Sequence, residues 1–131
     1  MISVGTDMVE ISRIEKSTKN DKFLKFILGK EEYDQLQKRN FSPGSVAANF
    51  CAKEAFLKSL GMGLGKIKLK SIQVLRSDTG KPYIFLVDDA LVYAQKNNFK
   101  FSVSLTHTKD YASAVVICYE GFKEHDKEQM L

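Results

Sequence analysis

The chain contains 131 residues, enough for one domain with a real core but not for two. Hydrophobic residues make up 44% and charged residues 27%, as in ordinary globular proteins, and no apolar run approaches the roughly 20 residues that span a bilayer. The net charge of +4 favours an anionic partner, such as a nucleic acid, a nucleotide or an acidic protein. The start of the chain does not resemble a signal peptide, so a cytoplasmic protein is predicted.

The first half of the chain reads as one strand followed by helices. Residues alternate from Ile2 to Met8, which predicts a first strand with Asp7 at its far end. The most convincing helix runs from Ser45 to Leu60, with Ser45 as its cap and Gly61 after its end. The Ser42-Pro43-Gly44 sequence predicts a break before that helix. Shorter helices are expected earlier, at 10–16, 21–28 and 31–39.

The second half is predicted to supply most of the sheet. Strands at 71–75 and 83–87 are joined by a good turn sequence, and a helix at 88–96 follows them. The alternating segment 99–105 predicts a half-buried strand, and the apolar segment from Tyr111 to Tyr119 predicts a central one. The expected fold is α+β, with helices packed on a mostly antiparallel sheet. The domain is predicted to cover residues 1–119, with a polar tail at 120–131.

The helix from Ser45 to Leu60 places charged groups on its apolar side. At about 100° per residue, Lys53 falls inside the apolar stripe and Glu54 at its edge. Charges on a core-facing arc are costly to desolvate, so an ion pair, contact with water, or a metal or phosphate site must compensate them. Lys58 lies on the same side as Glu54, a spacing that fits a solvated pair or a phosphate-binding lysine beside a carboxylate-held cation. The stripe itself consists of Val46, Phe50, Leu57 and Leu60.

Three other positions could contribute to such a site. Asp7 could supply the second carboxylate that a Mg²⁺ site needs, although an aspartate at a strand end could also cap a helix. The Gly80-Lys81-Pro82 sequence fits a plain hairpin turn or a turn lysine that meets a phosphate. His107 follows the end of a strand, where a structural role and a ligand role are both open.

Four sequence blocks, in order and in register, resemble the holo-acyl-carrier-protein synthase family of phosphopantetheinyl transferases. They are VGTDMVEISRI, NFCAKEAFLKSLGMGLG, SDTGKPYI and VSLTHTKDYASAVV, and the resemblance spans Ile2 to about Tyr119. It implies a homotrimeric α+β enzyme with active sites between subunits. The implied reaction moves phosphopantetheine from coenzyme A to a serine of an acidic acyl carrier protein and releases adenosine 3′,5′-bisphosphate.

The resemblance also implies roles for particular residues. Asp7 and Glu54 fall on the two magnesium carboxylates of the family, and Lys58 falls on its phosphate-contacting lysine. Glu54 and Lys58 are the predicted catalytic residues, and Glu54, directly or through water, is the first choice for the general base. Coenzyme A binding is expected at Lys58, Gly80, Lys81, Pro82 and His107, and carrier binding at Arg13, extended by Lys16, Lys22 and Lys25.

The chain departs from the family pattern at two positions. Asn49 stands where an arginine is common, which could remove a positive contact near the nucleotide or at the subunit interface. Val9 stands where larger relatives carry a third metal carboxylate, so two carboxylates and water are expected to hold the ion.

Two other functions compete with the transferase. A small basic RNA-binding module would need exposed aromatic side chains among basic ones, but the alternation directs Phe99 and Phe101 inward. A non-catalytic trimeric scaffold would leave Lys53 and Glu54 unexplained. The transferase is therefore the favoured interpretation, without a nucleic-acid or membrane partner.

Overall fold

The computed structural model of the protein describes residues 1–121. Within this range, a strand and four helices precede a hairpin, a fifth helix and two long strands. No helix in the described part of the chain has both the length and the apolar character to cross a membrane. The elements are β1 (Ile2–Glu10), α1 (Ile11–Thr18), α2 (Asp21–Ile27), α3 (Lys30–Gln37), α4 (Pro43–Ser59), a 3₁₀ turn (Leu69–Ser71), β2 (Ile72–Arg76), β3 (Pro82–Leu86), α5 (Asp88–Asn97), β4 (Phe99–His107) and β5 (Tyr111–Glu120).

The strands form two antiparallel sheets, which confirms the α+β prediction. One sheet has the order β1-β5-β4, so β5 is central as predicted, and β2 pairs with β3 in a separate hairpin. The hairpin lies beside β4 without pairing to it, so the strands do not merge into one sheet. Glu120 pairs with Phe99 at the end of β5. Residues 122–131 of the predicted tail lie outside the described residues, and the domain boundary stays a prediction.

Helix α4 lies in the centre of the molecule, between the three-stranded sheet and the β2–β3 hairpin. Gly5 makes the close approach to β1 possible, because a Cβ atom there would come within 2.6 Å of the Ser59 nitrogen and closer still to the Ala55 carbonyl oxygen. The expected single apolar stripe is wrong, since α4 is buried on nearly all sides. Sequence periodicity reports one apolar face, whereas a helix between two layers needs two.

The start of α4 also differs from the prediction. The helix begins at Pro43, and the Val46 N–H donates to the Ser42 carbonyl at 3.0 Å, so Ser42 rather than Ser45 stands at the boundary. Proline is well suited to a first helical turn, because the N–H that it lacks would have no partner within the helix. The predicted break is therefore part of the helix start.

A fully buried ion pair crosses from α4 to α3. Lys53 Nζ donates to Glu32 Oε1 at 2.7 Å and to the Leu69 carbonyl at 2.9 Å, and it also reaches the Ile72 carbonyl. Both side chains are 0% exposed. Burial lowers the pKa of Lys53, and the charge of Glu32 opposes that shift. Of the alternatives for Lys53, the ion pair is confirmed.

Asn49 belongs to the same buried network. Its side-chain amide donates to Glu32 Oε2 at 2.9 Å and to the Val74 carbonyl at 3.1 Å. The loss of a positive contact at this position stays a prediction, and the asparagine side chain itself is fully buried. Asn49 instead supplies a neutral donor to a carboxylate that Lys53 already neutralises.

The outer face of the three-stranded sheet is apolar and exposed in a single chain. The inner face of β5 is buried against α4, whereas Val115 and Ile117 on its outer face remain 37% and 39% exposed. The neighbouring positions Val4 and Met8 of β1 are 59% and 65% exposed. A continuous apolar sheet face of this kind is typical of a protein interface.

Candidate functional site

The structure brings Asp7, Glu54 and Lys58 together at the contact between β1 and α4. The pleat of β1 points Asp7 to the same side as Gly5, towards the helix. Lys58 Nζ donates to Asp7 Oδ1 at 3.3 Å. Glu54 lies one helical turn before Lys58, so the same helix presents both side chains to the strand. The predicted clustering of these three residues is therefore observed.

The electrostatics of this cluster favour a cation. Burial raises the pKa of Glu54, the negative charge of Asp7 raises it further, and Lys58 opposes both effects. Two carboxylates that repel each other at a half-buried position gain most from a positive ion between them. Carboxylate oxygens are the ligands that Mg²⁺ prefers, and it needs only one or two of them when a substrate phosphate supplies the rest.

Other metal-ligating side chains do not join the cluster. Among residues 1–121 there is no group of three or more histidine, cysteine, aspartate or glutamate side chains that could hold a metal. Cys51 lies close by, but burial and the nearby Asp7 raise the pKa of its thiol to about 12, and the thiol donates to the Ala112 carbonyl at 3.5 Å. A neutral thiol is a poor ligand for a hard cation, so the donor set consists of the two carboxylates.

The site is open on the side of Lys58. Its side chain is 55% exposed, and a cavity of about 370 Å³ lies beside it. Ser3, Leu60 and Tyr93 contribute to the lining of this cavity. An exposed ammonium group at the edge of a cavity can meet an anionic ligand without displacing buried groups.

The other predicted coenzyme residues lie apart from the cluster within one chain. The ring of His107 lies near Gly44, at the start of α4 and ten residues before Glu54, which is ~15 Å along the helix axis. Gly80, Lys81 and Pro82 form the turn of the β2–β3 hairpin and its entry into β3, and Gly80 adopts a positive φ of 88° there. Asn49 and Lys53 bond to β2, whereas Ala55 contacts β1, so the hairpin packs on the opposite side of α4 from Asp7.

The predicted carrier-binding residues lie on the surface of α1 and α2. Arg13, Lys16, Lys22 and Lys25 are all exposed. Lys25 forms an ion pair with Asp21 at 3.1 Å, so part of its charge is neutralised. The other three have no acidic partner within 4 Å among residues 1–121. Three of the four are therefore free to attract an acidic surface.

The buried network around Lys53 is the main feature that the sequence did not disclose in full. The sequence indicated that Lys53 needed compensation, but Glu32 lies 21 residues earlier on a helix that read as polar. Nothing in the spacing of Glu32 distinguishes it from its exposed neighbour Glu31. Only the packing of α3 against β2 shows which of the two carboxylates is buried.

Comparison with known proteins places this arrangement in a family. The family model described as the 4′-phosphopantetheinyl transferase superfamily matches residues 3–116. A holo-[acyl-carrier-protein] synthase of Treponema denticola is 43% identical over 119 residues, which cover 89% of this chain and 97% of that relative.

Solved structures agree with this match. A holo-(acyl-carrier-protein) synthase of Bacillus anthracis in complex with CoA (3′,5′-ADP) is 31% identical, with a TM-score of 0.75 over 91% of this chain and 96% of that one. The synthase of Helicobacter pylori in complex with coenzyme A is 32% identical, with a TM-score of 0.75 over 88% of this chain and 99% of that one.

Proposed function

Because the chain belongs to the 4′-phosphopantetheinyl transferase superfamily, and is therefore an enzyme, we propose that it transfers phosphopantetheine from coenzyme A to a serine of an apo-acyl-carrier protein. The observation that supports this proposal most directly is the cluster of Asp7, Glu54 and Lys58, which suits a metal-bound pyrophosphate. Relatives named for this reaction, and neighbours solved with coenzyme A, support the same substrates.

Asp7 and Glu54 would hold a Mg²⁺ ion in this proposal. Their carboxylates repel each other, and the pKa of Glu54 is raised, so the pair fits a divalent cation that replaces the contact between Lys58 and Asp7. When bound, the ion neutralises negative charge on the pyrophosphate and on the leaving bisphosphate. Lys58 is then free to turn towards a phosphate oxygen, because its side chain is already more than half exposed.

The reaction needs little covalent work from the protein. The carrier serine oxygen forms a bond to the phosphorus that carries the pantetheine arm, and the bond from that phosphorus to adenosine 3′,5′-bisphosphate breaks. The leaving group departs with the electron pair. Glu54 is the proposed acceptor of the serine proton, directly or through water, and its raised pKa suits that task. Positioning and charge stabilisation then dominate the rate.

Mass spectrometry of an apo-acyl-carrier protein tests this function. Incubation with the protein, coenzyme A and Mg²⁺ should add one phosphopantetheine group to the carrier, and a chelator should prevent the addition. A carrier protein whose acceptor serine is replaced by alanine serves as the control, because it cannot accept the group. An unmodified carrier in the complete reaction would contradict the proposal.

We also propose that the enzyme works as a homotrimer. The exposed apolar face of the β1-β5-β4 sheet supports self-association, and the separation of Lys81 and His107 from Asp7 within one chain supports a coenzyme pocket completed by a neighbour. Mixing Asp7→Ala chains with Lys81→Glu chains, each inactive alone, should restore part of the activity through hybrid sites. Light scattering that shows a fully active monomer would rule the trimer out.

The remaining expectations are parts of the same proposal. A cytoplasmic location fits the proposed substrates. The RNA-binding alternative gains no support from the aromatic residues of β4, because the Phe101 ring packs on Phe56 at 4.3 Å and the Phe99 ring lies 6.2 Å from that of Tyr93.

A further inference from the structure

A groove lies between the two sheets, along strand edges that do not pair with each other. β4 is the edge strand of the three-stranded sheet, β3 is a strand of the hairpin, and no backbone hydrogen bond joins the two among residues 1–121. The groove has a volume of about 600 Å³, and α5 also lines it. Nothing in the proposed reaction uses it. Its apolar lining includes Ile84, Phe85, Leu86, Leu91, Phe99 and Phe101.

The described part of the chain leaves the sheet at the rim of this groove. The Gly121 N–H donates to the Asn98 carbonyl at 2.8 Å, and the Asn98 side-chain amide donates to the Gly121 carbonyl at 2.9 Å. Asn98 lines the groove, as does Lys100, and a Cβ atom on Gly121 would come within 3.1 Å of the Lys100 side chain. Because consecutive Cα atoms are about 3.8 Å apart, the next residue, Phe122, starts from this rim.

The sequence that follows Gly121 matches the chemistry of the groove. Its first residue is Phe122, a large apolar side chain, and Glu124 follows two residues later. The groove offers apolar walls and a single lysine at its rim, Lys100, which has no ion-pair partner within 4 Å in the described part of the chain. Residues two apart share a side in an extended segment, so Phe122 and Glu124 can face the groove while Lys123 faces away.

We propose that the segment 122–131 packs along the groove of its own chain, with the Phe122 ring between β3 and α5 and the Glu124 carboxylate beside Lys100. The segment then holds the β2–β3 hairpin against the three-stranded sheet, to which the hairpin makes no strand pairing of its own. Because the hairpin carries Lys81, the segment also positions part of the coenzyme pocket. That consequence rests on the proposed function, whereas the packing of Phe122 does not.

The attachment of the segment favours it over a separate partner. Phe85 and Leu91 remain 39% and 38% exposed along the groove, so an apolar side chain that covers them removes apolar surface from water on both sides of the contact. A segment that starts at the rim is held there at a high effective concentration. It therefore avoids most of the loss of translational and rotational freedom that a free ligand undergoes on binding.

Two other occupants fit the groove less well. The face proposed for self-association consists of outer side chains of the sheet, such as Val115 and Ile117. Phe101 lines the groove from the inner side of β4, where its ring packs on Phe56, so the groove lies beside that face rather than on it. An acidic carrier helix is expected at α1 and α2, neither of which lines the groove.

A fluorescent reporter tests where the segment lies. The chain contains no tryptophan, so Phe122→Trp introduces a single one. Its emission should be blue-shifted and protected from acrylamide quenching, whereas Lys123→Trp should behave as an exposed tryptophan. Adding Leu91→Ser, which removes a groove wall, should abolish the protection of the Phe122→Trp reporter. Val92→Ser is the matched control, because Val92 is 63% exposed on α5 and lies outside the groove. Equal quenching of the two reporters would overturn the proposal.

Hydrogen exchange tests the effect on the hairpin. Phe122→Ser should speed amide exchange in β2 and β3 by about tenfold, as expected when one partly buried aromatic contact is lost, and Lys123→Ser should not. Unchanged exchange would overturn the proposal. So would protection of the Phe122→Trp reporter that disappears on dilution, or a lower mass of Phe122→Ser in light scattering, since either result assigns the segment to a neighbouring copy.

Kinetics separate this inference from the proposed function. Phe122→Ser should raise the KM for coenzyme A more than the KM for the carrier, because the hairpin carries Lys81. Faster exchange with an unchanged KM for coenzyme A would overturn the positioning of the coenzyme pocket and leave the packing of Phe122 supported. A protein that protects the reporter but transfers no phosphopantetheine would overturn the proposed function and still support the occupied groove.

Discussion

Helix α4 carries two lysine–carboxylate pairs only five residues apart, and their surroundings differ completely. Lys53 and Glu32 are both 0% exposed, and Lys53 makes three hydrogen bonds, which is its full capacity. Lys58 and Asp7 are 55% and 19% exposed, and they share a single contact of 3.3 Å. The first pair has no bonding capacity left for a ligand, whereas the second retains most of it.

The difference shows how the same side chains serve structure on one side of a helix and chemistry on the other. A saturated buried pair is rigid, and breaking it leaves a charge in a medium that cannot solvate it. A loosely paired, half-exposed cluster can exchange one partner for another at low cost. The distinction between a structural and a functional charge therefore lies in burial and bond saturation, not in residue type.

Loss of the buried pair should produce the largest change in stability. Lys53→Met leaves the Glu32 carboxylate buried without its counter-ion and should lower the free energy of unfolding by about 3–5 kcal/mol. Urea denaturation followed by circular dichroism measures the change. Lys58→Met is the matched control on the same helix, because a half-exposed pair contributes only about 0–1 kcal/mol. Equal stability of the two variants would remove the contrast between the pairs.

A second substitution sharpens this result. Adding Glu32→Gln to Lys53→Met removes the uncompensated charge and should recover part of the lost stability. Recovery should be incomplete, because the Leu69 and Ile72 carbonyls that Lys53 served remain without their donor. If the double variant is less stable than Lys53→Met alone, charge compensation is not what Glu32 provides.

Neutralising the carboxylates of Asp7 and Glu54 should instead abolish activity and leave the fold intact. Glu54→Gln and Asp7→Asn each remove a proposed metal ligand and should lower kcat/KM by about 10³-fold, or ~4 kcal/mol. The free energy of unfolding should change by less than about 1 kcal/mol, because both variants lose the repulsion between the two carboxylates and Asp7→Asn loses only a half-exposed contact with Lys58. Titration of the activity with Mg²⁺ or Mn²⁺ should show that each variant binds the metal ion more weakly. Full activity of either variant would remove the assignment of the metal site.

The sequence predicted the open cluster better than the buried pair. The spacing of Glu54 and Lys58 on one helix is a local property, and Asp7 could be matched to them through the family pattern. The partner of Lys53 could not be read in this way, because Glu32 depends on how α3 packs against β2. Local spacing determines which face a residue occupies, whereas tertiary packing determines what covers that face.

The same reasoning explains the corrections to the fold. The central position of β5 follows from its composition, and it was predicted correctly. The two-sided burial of α4 was missed, because a helix that faces two layers loses the single apolar stripe on which sequence analysis depends. Asn49 illustrates the consequence, since this polar residue of α4 lies in the core and bonds to Glu32.

Substitution of Lys58 should lower kcat/KM less than substitution of the Asp7 and Glu54 carboxylates does. Lys58→Gln retains a hydrogen-bond donor but loses the charge proposed to contact the phosphate, so kcat/KM should fall by about 10²-fold. Lys58→Arg should retain more activity than Lys58→Gln, because it preserves the positive charge. Steady-state kinetics with coenzyme A as the varied substrate measure both variants. If Lys58→Gln were as inactive as Glu54→Gln, Lys58 would be needed for more than charge stabilisation.

Arg13 extends the comparison to a basic residue that has no acidic partner among residues 1–121. Because it is exposed on α1, Arg13→Glu should leave stability within about 0.5 kcal/mol of the original. It should instead raise the KM for the carrier by about tenfold, or ~1.4 kcal/mol, with little change in the KM for coenzyme A. Raised salt should reduce the difference, because exposed charges are screened over ~8–10 Å at physiological ionic strength.

Lys38→Glu makes the same charge change at another exposed position, beyond the end of α3, and serves as the control for net charge. The comparison predicts that a basic residue acts on stability when it is saturated and buried, on the chemical step when it is half exposed beside carboxylates, and on the encounter when it is fully exposed. Arg13→Glu with an unchanged carrier KM, or with the same change as Lys38→Glu, would show that net charge rather than a defined docking face on α1 attracts the carrier.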